Sequence, residues 1–257
     1  MLLGGRLAKD YFTTPKPRLL AHRGLALPLQ LDENTIPAFQ AALEHGATHL
    51  ESDTQATKDG HAVLLHDSDL RRVAGIDAAI SELTLEEVRA IRLANNGVIP
   101  TLYEALTHFP TAFFNLDIKT KAAIDPTIRA IEDAKANKRV LVSSFSNPTR
   151  KSALKKFTEP VATSASASVA LAAWFSHTVL FGLGFQRIIA NVDALQVPIN
   201  LGIVDFSKKS FIDRVKRHQT EIHFWTINDP TEMKRLLEAG ADGIVSDRVD
   251  LFNLGKP

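Results

Sequence analysis

Two pairs of residues carry the first chemical signal. Glu51 and Asp53 stand two apart in HLESDTQA, and Asp117 and Lys119 stand two apart in NLDIKT. Residues at i and i+2 of a β-strand project to one face, so each pair shares a face if its segment is a strand. Two carboxylates buried together repel, and both stay ionised only beside a cation or basic partners. An oxygen-ligated divalent metal resolves that conflict, with Asp117 as a third ligand and Lys119 placed beside an anionic substrate group. The competing reading of the second pair is an interior salt bridge between Lys119 and a carboxylate.

Two histidines extend the set. His22 opens His22-Arg23-Gly24 at the end of an apolar run, where Gly24 lets the chain turn sharply away. His66 closes Val63-Leu64-Leu65 and precedes Asp67. Alone, either pair is more often incidental. Together they matter, because cleaving a phosphodiester needs a base for the attacking oxygen and an acid for the leaving alkoxide. Two imidazoles on opposite sides of phosphorus supply both near neutral pH.

Such groups need a scaffold that gathers strand ends. Short apolar runs alternate with helix-patterned stretches, the signature of βα units around a parallel sheet. Eight strands are predicted: 18–22, 48–55, 111–118, 139–143, 160–164, 194–198, 221–226 and 243–246. A helix over 35–45 is expected after Asn34 as N-cap and before Gly46, and another over 231–239 between Asp229-Pro230 and Gly240. Eight such units form a (β/α)₈ TIM barrel, whose functional groups sit at the C-terminal ends of its strands. The second unit is irregular: a return at Asp59-Gly60 leads to a strand at 62–65, and residues 68–98 form a small insertion. Within it SELTLEEV reads as a helix start capped by Ser81 or Thr84. An insertion in a βα loop lands on the catalytic face, so 68–98 is expected to partly roof the site.

Composition agrees with one domain spanning 1–257. The chain has 257 residues, 45% hydrophobic and 23% charged, close to the ~250 residues of a single barrel. Thirty basic against twenty-nine acidic residues give a net charge of +1, so no global field draws the protein to nucleic acid or an anionic membrane. The absence of cysteine removes disulfides and thiolate metal sites. Arg6, Lys9 and Asp10 interrupt the first apolar residues, which leaves no signal-peptide core and favours a cytoplasmic location. The most apolar stretch, 168–190, is interrupted by His177, Gln186 and Arg187. It reads as a buried or lid helix, with membrane contact as the less favoured alternative.

With these residues assembled, the chain resembles the glycerophosphodiester phosphodiesterase family, a phosphatidylinositol-phosphodiesterase-like TIM barrel. The likeness rests on HRG at 22–24, ENT at 33–35, ESD at 51–53, TKDGHAVLLHD at 57–67, LDIK at 116–119, SSF at 143–145, FWTIN at 224–228 and DGIVSD at 242–247. The matches run in the family's order along nearly the whole chain. The resemblance implies His22 and His66 as acid and base, and Glu51, Asp53 and Asp117 as ligands of Mg²⁺ or Ca²⁺. It also implies that Arg23 and Lys119 contact the phosphate, that Trp225 forms part of the apolar wall against glycerol or the leaving alcohol, and that Glu33 and Asn34 lend support from behind. The implied activity is hydrolysis of a small glycerophosphodiester to glycerol 3-phosphate and an alcohol.

Two positions depart from the family pattern. Asp117 stands where glutamate is frequent, and Asp32 replaces the proline that often precedes ENT. Three other readings compete: a sugar-phosphate isomerase or Lys119 Schiff-base aldolase, suggested by GADGIVSD; a catalytically silent barrel that binds phospholipid head groups; and a lysophospholipase D, if 168–190 opens onto the pocket. Ser143, Ser144 and Asp247 lie at expected strand ends, from which they could approach the site, and the favoured reading is that they satisfy loop backbone groups. The remaining histidines are read as surface, capping or packing residues, with His177 the one nearest a possible lid.

Overall fold

The computed structural model describes residues 9–252; the charged start at Arg6 lies outside the described residues. The strands are β1 (Arg18–His22), β2 (His49–Ala56), β3 (Ala62–Leu64), β4 (Phe113–Ile118), β5 (Val140–Ser143), β6 (Ala162–Thr163), β7 (Ala194–Val197), β8 (Asn200–Leu201), β9 (Val204–Asp205), β10 (Glu221–Phe224) and β11 (Gly243–Ser246). Eight of them pair in parallel in the order β6-β5-β4-β2-β1-β11-β10-β7. A parallel bridge between Ser164 and Ala194, with Ala165 N–H donating to Ala194 C=O at 2.9 Å, brings the two ends together. The result is the expected (β/α)₈ barrel. Its fifth barrel strand, expected over 160–164, shrinks to two residues.

The helices that wrap the barrel are α1 (Ile36–Glu44), α2 (Arg71–Ala74), α3 (Leu85–Ala90), α4 (Leu102–His108), α5 (Ile124–Asp133), α6 (Asn147–Leu154), α7 (Ala167–Thr178), α8 (Phe185–Ile189), α9 (Lys209–Arg217) and α10 (Pro230–Glu238). Apolar faces of the strands and of these helices form the main core, where Phe39, Leu50, Phe114 and Leu116 are fully buried. The barrel interior is polar instead. At its floor Arg18 is 1% exposed and donates to both oxygens of Glu221, at 2.7 and 2.9 Å. His223 pairs with the same carboxylate at 3.0 Å, and buried Tyr11 closes the bottom against the His49 ring at 5.0 Å. A guanidinium with a hydrogen-bonded carboxylate is one of the few ways to bury charge without a large desolvation penalty.

Caps confirm some expectations and correct one. Thr84 caps α3 in a reciprocal box with Glu87, and Asp229 caps α10. The cap of α1 is Thr35, which accepts from Ala38 N–H, and not Asn34. Asn34 adopts a left-handed φ of 58° and turns its side chain inward, where its Oδ1 accepts from Ser52 at 2.7 Å. The turn after β1 needs a left-handed residue there, and asparagine tolerates that conformation.

The insertion builds a small core of its own, with Leu70, Val73, Ile80, Val88 and Leu93 packed on Val63, Leu65 and Ile99. Asp32 fastens it: its carboxylate accepts from Asn95 N–H at 3.0 Å and Gly97 N–H at 2.8 Å. A proline could not make those bonds, which gives this departure from the family pattern a structural use. The apolar stretch 168–190 breaks into α7 and α8 around Gly182 and Gly184. No helix among the described residues is long and apolar enough to cross a membrane.

Candidate active site

Strand register brings the two carboxylate pairs together. His22 of β1 lies opposite Glu51 of β2, and Asp53 of β2 lies opposite Asp117 of β4, which lies opposite Ser143 of β5. Register partners share a face, so these side chains converge inside the C-terminal mouth. A cavity of about 450 Å³ opens there, lined by His22, Arg23, Glu51, Asp53, His66, Asp117, Lys119 and Trp225 among others. Eight of the ten sequence-selected residues therefore meet in one cavity. Glu33 and Asn34 stand behind it.

Each histidine is oriented by a carboxylate. His22 Nδ1 lies 2.6 Å from Asp247 Oδ1, and His66 Nδ1 lies 2.7 Å from Asp67 Oδ1. A carboxylate accepts, so Nδ1–H donates in each case and Nε2 is the nitrogen left for chemistry. Burial opposes the charge on His22, but the Asp247 bond and the nearby Glu51 outweigh it, and its pKa lies above the ordinary value. Asp247 also accepts from Asn228 Nδ2 at 2.8 Å. The reading of Asp247 as a mere backbone partner is thus corrected. Its signal was topological: in a closed barrel the last strand pairs with the first, and Ser246 is the register partner of Ala21.

Arg23 follows with φ 57°, its N–H donating to Glu51 C=O at 3.0 Å. Its guanidinium reaches Glu33 at 3.1 Å and stands 3.5 Å from Asp53. Lys119 Nζ lies 2.7 Å from Asp53 Oδ1 and 3.1 Å from Asp117 Oδ2, so the salt-bridge reading of this pair holds alongside any role toward substrate. Phe145, to which sequence reasoning gave no role, joins Trp225 edge-on at 5.9 Å and lies 5.7 Å from Lys119 Nζ. The two rings make one apolar wall.

The three carboxylates stand close enough to oppose one another's ionisation. Burial, then the neighbouring Asp53, pushes Glu51 up to about 8, and burial raises Asp117 against the pull of Lys119. Asp53 Oδ2 is buried without a hydrogen-bond partner. A buried oxygen that accepts no hydrogen bond and has only an ion pair to Arg23 at 3.5 Å, beside a carboxylate that resists ionisation, is chemistry a hard cation satisfies, so the donor set fits a divalent metal. With Lys119 lying between Asp53 and Asp117, no three His, Cys, Asp or Glu side chains among the described residues already stand as a cage.

The other histidines stand apart from this cavity. His177 contacts Ser210 Oγ at 3.3 Å and packs on Phe211, while His49 and His223 belong to the barrel floor.

The chain belongs to the glycerophosphoryl diester phosphodiesterase family, which it matches over residues 22–251, and is an enzyme of the phosphoric diester hydrolase class. It is 36% identical over 250 residues to a probable glycerophosphodiester phosphodiesterase 2 of Mycobacterium tuberculosis, covering 97% of this chain and 90% of that one. A glycerophosphodiester phosphodiesterase of Thermotoga maritima superposes with a TM-score of 0.71 at 26% identity, covering 93% and 98% of the two chains. An Oleispira antarctica phosphodiesterase, solved with its product sn-glycerol 3-phosphate, shares the fold with a TM-score of 0.74 at 22% identity over 94% and 96%.

Proposed function

We propose that this enzyme hydrolyses small glycerophosphodiesters to glycerol 3-phosphate and an alcohol, with His22 and His66 as acid and base and a divalent cation, Mg²⁺ or Ca²⁺, at Glu51, Asp53 and Asp117. The observation that carries the reading is the meeting of two carboxylate-oriented imidazoles and three buried carboxylates in one cavity. The product bound to the Oleispira relative is the expected one.

Arg23, through its planar guanidinium, and Lys119, as a compact point charge, bind the phosphate within a half-buried mouth, where each is worth more than at the surface. The substrate's free glycerol hydroxyl attacks phosphorus; one imidazole takes its proton as the other protonates the departing alkoxide. The P–O bond to the alcohol breaks as a cyclic phosphate forms. Water then opens the ring with the two imidazoles in reversed roles, restoring both protonation states. Bound at the three carboxylates, the cation would act as a Lewis acid toward a phosphate oxygen and hold the attacking hydroxyl close. Trp225 and Phe145 exclude water from the alcohol side.

Incubation with glycerophosphocholine, with and without EDTA, tests the reading: glycerol 3-phosphate should appear and vanish on chelation. No release with any divalent metal would favour a head-group-binding barrel, and a borohydride-trapped adduct on Lys119 would favour an aldolase.

One feature supports acyl-bearing substrates, and with them lysophospholipase D activity, as a second reading. Leu171 and Phe175 of α7 and Val179 at its C-cap recur every fourth residue and are 37%, 50% and 49% exposed, and Leu171 lines the cavity with Leu201. An exposed apolar stripe leaving a catalytic mouth suits a hydrocarbon chain. Phe175→Ser would then slow a lysophospholipid substrate and spare glycerophosphocholine; equal rates on both would remove this reading.

A further inference from the structure

The insertion places one guanidinium between the two halves of the site. Arg72 of α2 donates from Nη2 to Glu33 Oε1 at 2.6 Å and from Nη1 to Glu33 Oε2 at 3.0 Å, while its Nε donates to Asp67 Oδ2 at 2.6 Å. Both acceptors are already engaged with the catalytic mouth. Glu33 Oε1 also accepts from Arg23 Nη1 at 3.1 Å, and Asp67 Oδ1 accepts from His66 Nδ1 at 2.7 Å. The five side chains therefore form an unbroken relay, Arg23–Glu33–Arg72–Asp67–His66, that joins the loop after β1 to the loop after β3.

We propose that Arg72 is a positioning residue of the active site, setting Arg23 through Glu33 and His66 through Asp67; this rests on the roles assigned above to those two residues. The geometry suits arginine alone. A planar guanidinium grips one carboxylate with two parallel bonds and still offers Nε to another, whereas an ammonium is a point charge that cannot hold both in fixed directions. The Arg72 side chain is 49% exposed, so its ion pairs add little to stability. Its effect is directional. With Asp67 held from behind, the carboxylate cannot swing away from His66, and the imidazole keeps Nε2 toward the cavity. With Glu33 held at both oxygens, Arg23 stays aimed past it into the mouth. Asp32, which binds the 95–97 turn of the same insertion, keeps the clamp seated. The insertion thereby acts in catalysis although, of its residues, those near the site line only a smaller neighbouring cavity.

The test measures kcat, KM and thermal stability for the metal-supplemented full chain, with glycerophosphocholine as substrate. Arg72→Met is expected to lower kcat/KM by about 10–100-fold, the usual cost of misplacing reacting groups by a fraction of an ångström, with the melting temperature nearly unchanged. Arg72→Lys should recover only part of the loss, and methylguanidine added to Arg72→Ala should restore more. In a double-mutant cycle, Arg72→Met should cost much less when Asp67 is already Asn, because the shared path through Asp67 is gone. Activity within twofold of wild type, losses that add independently with Asp67→Asn, or a loss that tracks a falling melting temperature would each overturn the proposal. Failure of the underlying diesterase reading is distinct, since the wild-type enzyme would then release no glycerol 3-phosphate.

Discussion

His22 and Asp247 are 225 positions apart in sequence, yet their side chains meet at 2.6 Å where the last barrel strand closes on the first. The bond fixes the tautomer of His22 and, together with the nearby Glu51, offsets burial and holds its pKa above the ordinary value. With His22 in the proposed acid–base role, Asp247→Asn should lower kcat/KM by about 100- to 10,000-fold, the range for losing an oriented general acid or base. With the raising partner gone, the pKa of His22 falls, so the limb of the pH–rate profile that it sets should move to lower pH. A profile identical to wild type would show that Asp247 does not act on His22.

The metal proposed at Glu51, Asp53 and Asp117 would meet a group that is protonated near neutrality, since burial and Asp53 hold Glu51 at about 8. Binding should therefore release a proton at pH 7. Titration calorimetry with Mg²⁺ and Ca²⁺ in buffers of different ionisation enthalpy reads that proton directly, without reference to activity. Heats independent of buffer would refute the charge balance described for this trio.

Lys119 is the cation now lying between Asp53 and Asp117. Lys119→Met leaves Asp117 without its cation and Asp53 with only Arg23 at 3.5 Å, which should destabilise the metal-free protein by roughly 3 kcal/mol and raise KM for the diester. Saturating divalent metal should restore much of the stability and little of the KM. Chemical denaturation with and without metal separates the two effects.

Gly24 turns the chain after His22 and Arg23 with φ +85°, and a Cβ there would stand 2.7 Å from the carbonyl carbon of Ala38. Leu25 N–H donates to Ala38 C=O at 2.9 Å, so helix and turn cannot separate without losing that bond. Gly24→Ala should destabilise by about 2–3 kcal/mol and reduce turnover by shifting His22 and Arg23. Wild-type stability in urea would contradict this close approach.

The barrel floor should contribute to how acid weakens the fold. Burial opposes charge on Glu221, but hydrogen bonds from His223 and Arg18 outweigh it and hold its pKa far below the ordinary carboxylate value. That stabilisation is complete above the unfolded carboxylate range and is lost as pH falls through it toward the depressed folded value. His49, pushed by burial from 6.5 down to about 3, acts earlier. Between those values the unfolded chain takes up a proton that the folded chain refuses, at up to about 1.4 kcal/mol per pH unit. His49→Gln should flatten the melting-temperature profile between pH 6.5 and 4.5, and an unchanged slope would rule out His49 as its source.

Local chemistry made much of this protein legible from its residues in order. The two-residue spacing of Glu51 with Asp53 and of Asp117 with Lys119 determined that each pair shares a strand face, because side chains alternate along any strand. Alternating apolar runs determined the βα repeat, and Thr84 with Glu87 announced its helix start, since a cap acts within one turn. The Asn34 side chain escaped that logic because it sits in a turn and its partner, Ser52, lies 18 residues away on β2. Asp247 and Arg72 escaped it as well. Barrel closure sets Asp247 beside His22, and folding of the insertion sets Arg72 between Glu33 and Asp67. Sequence alone determined which reactive groups exist and which face of its own element each shares; only the tertiary structure decided which carboxylate orients which base, because contacts between distant segments follow from strand register and closure rather than from local pattern.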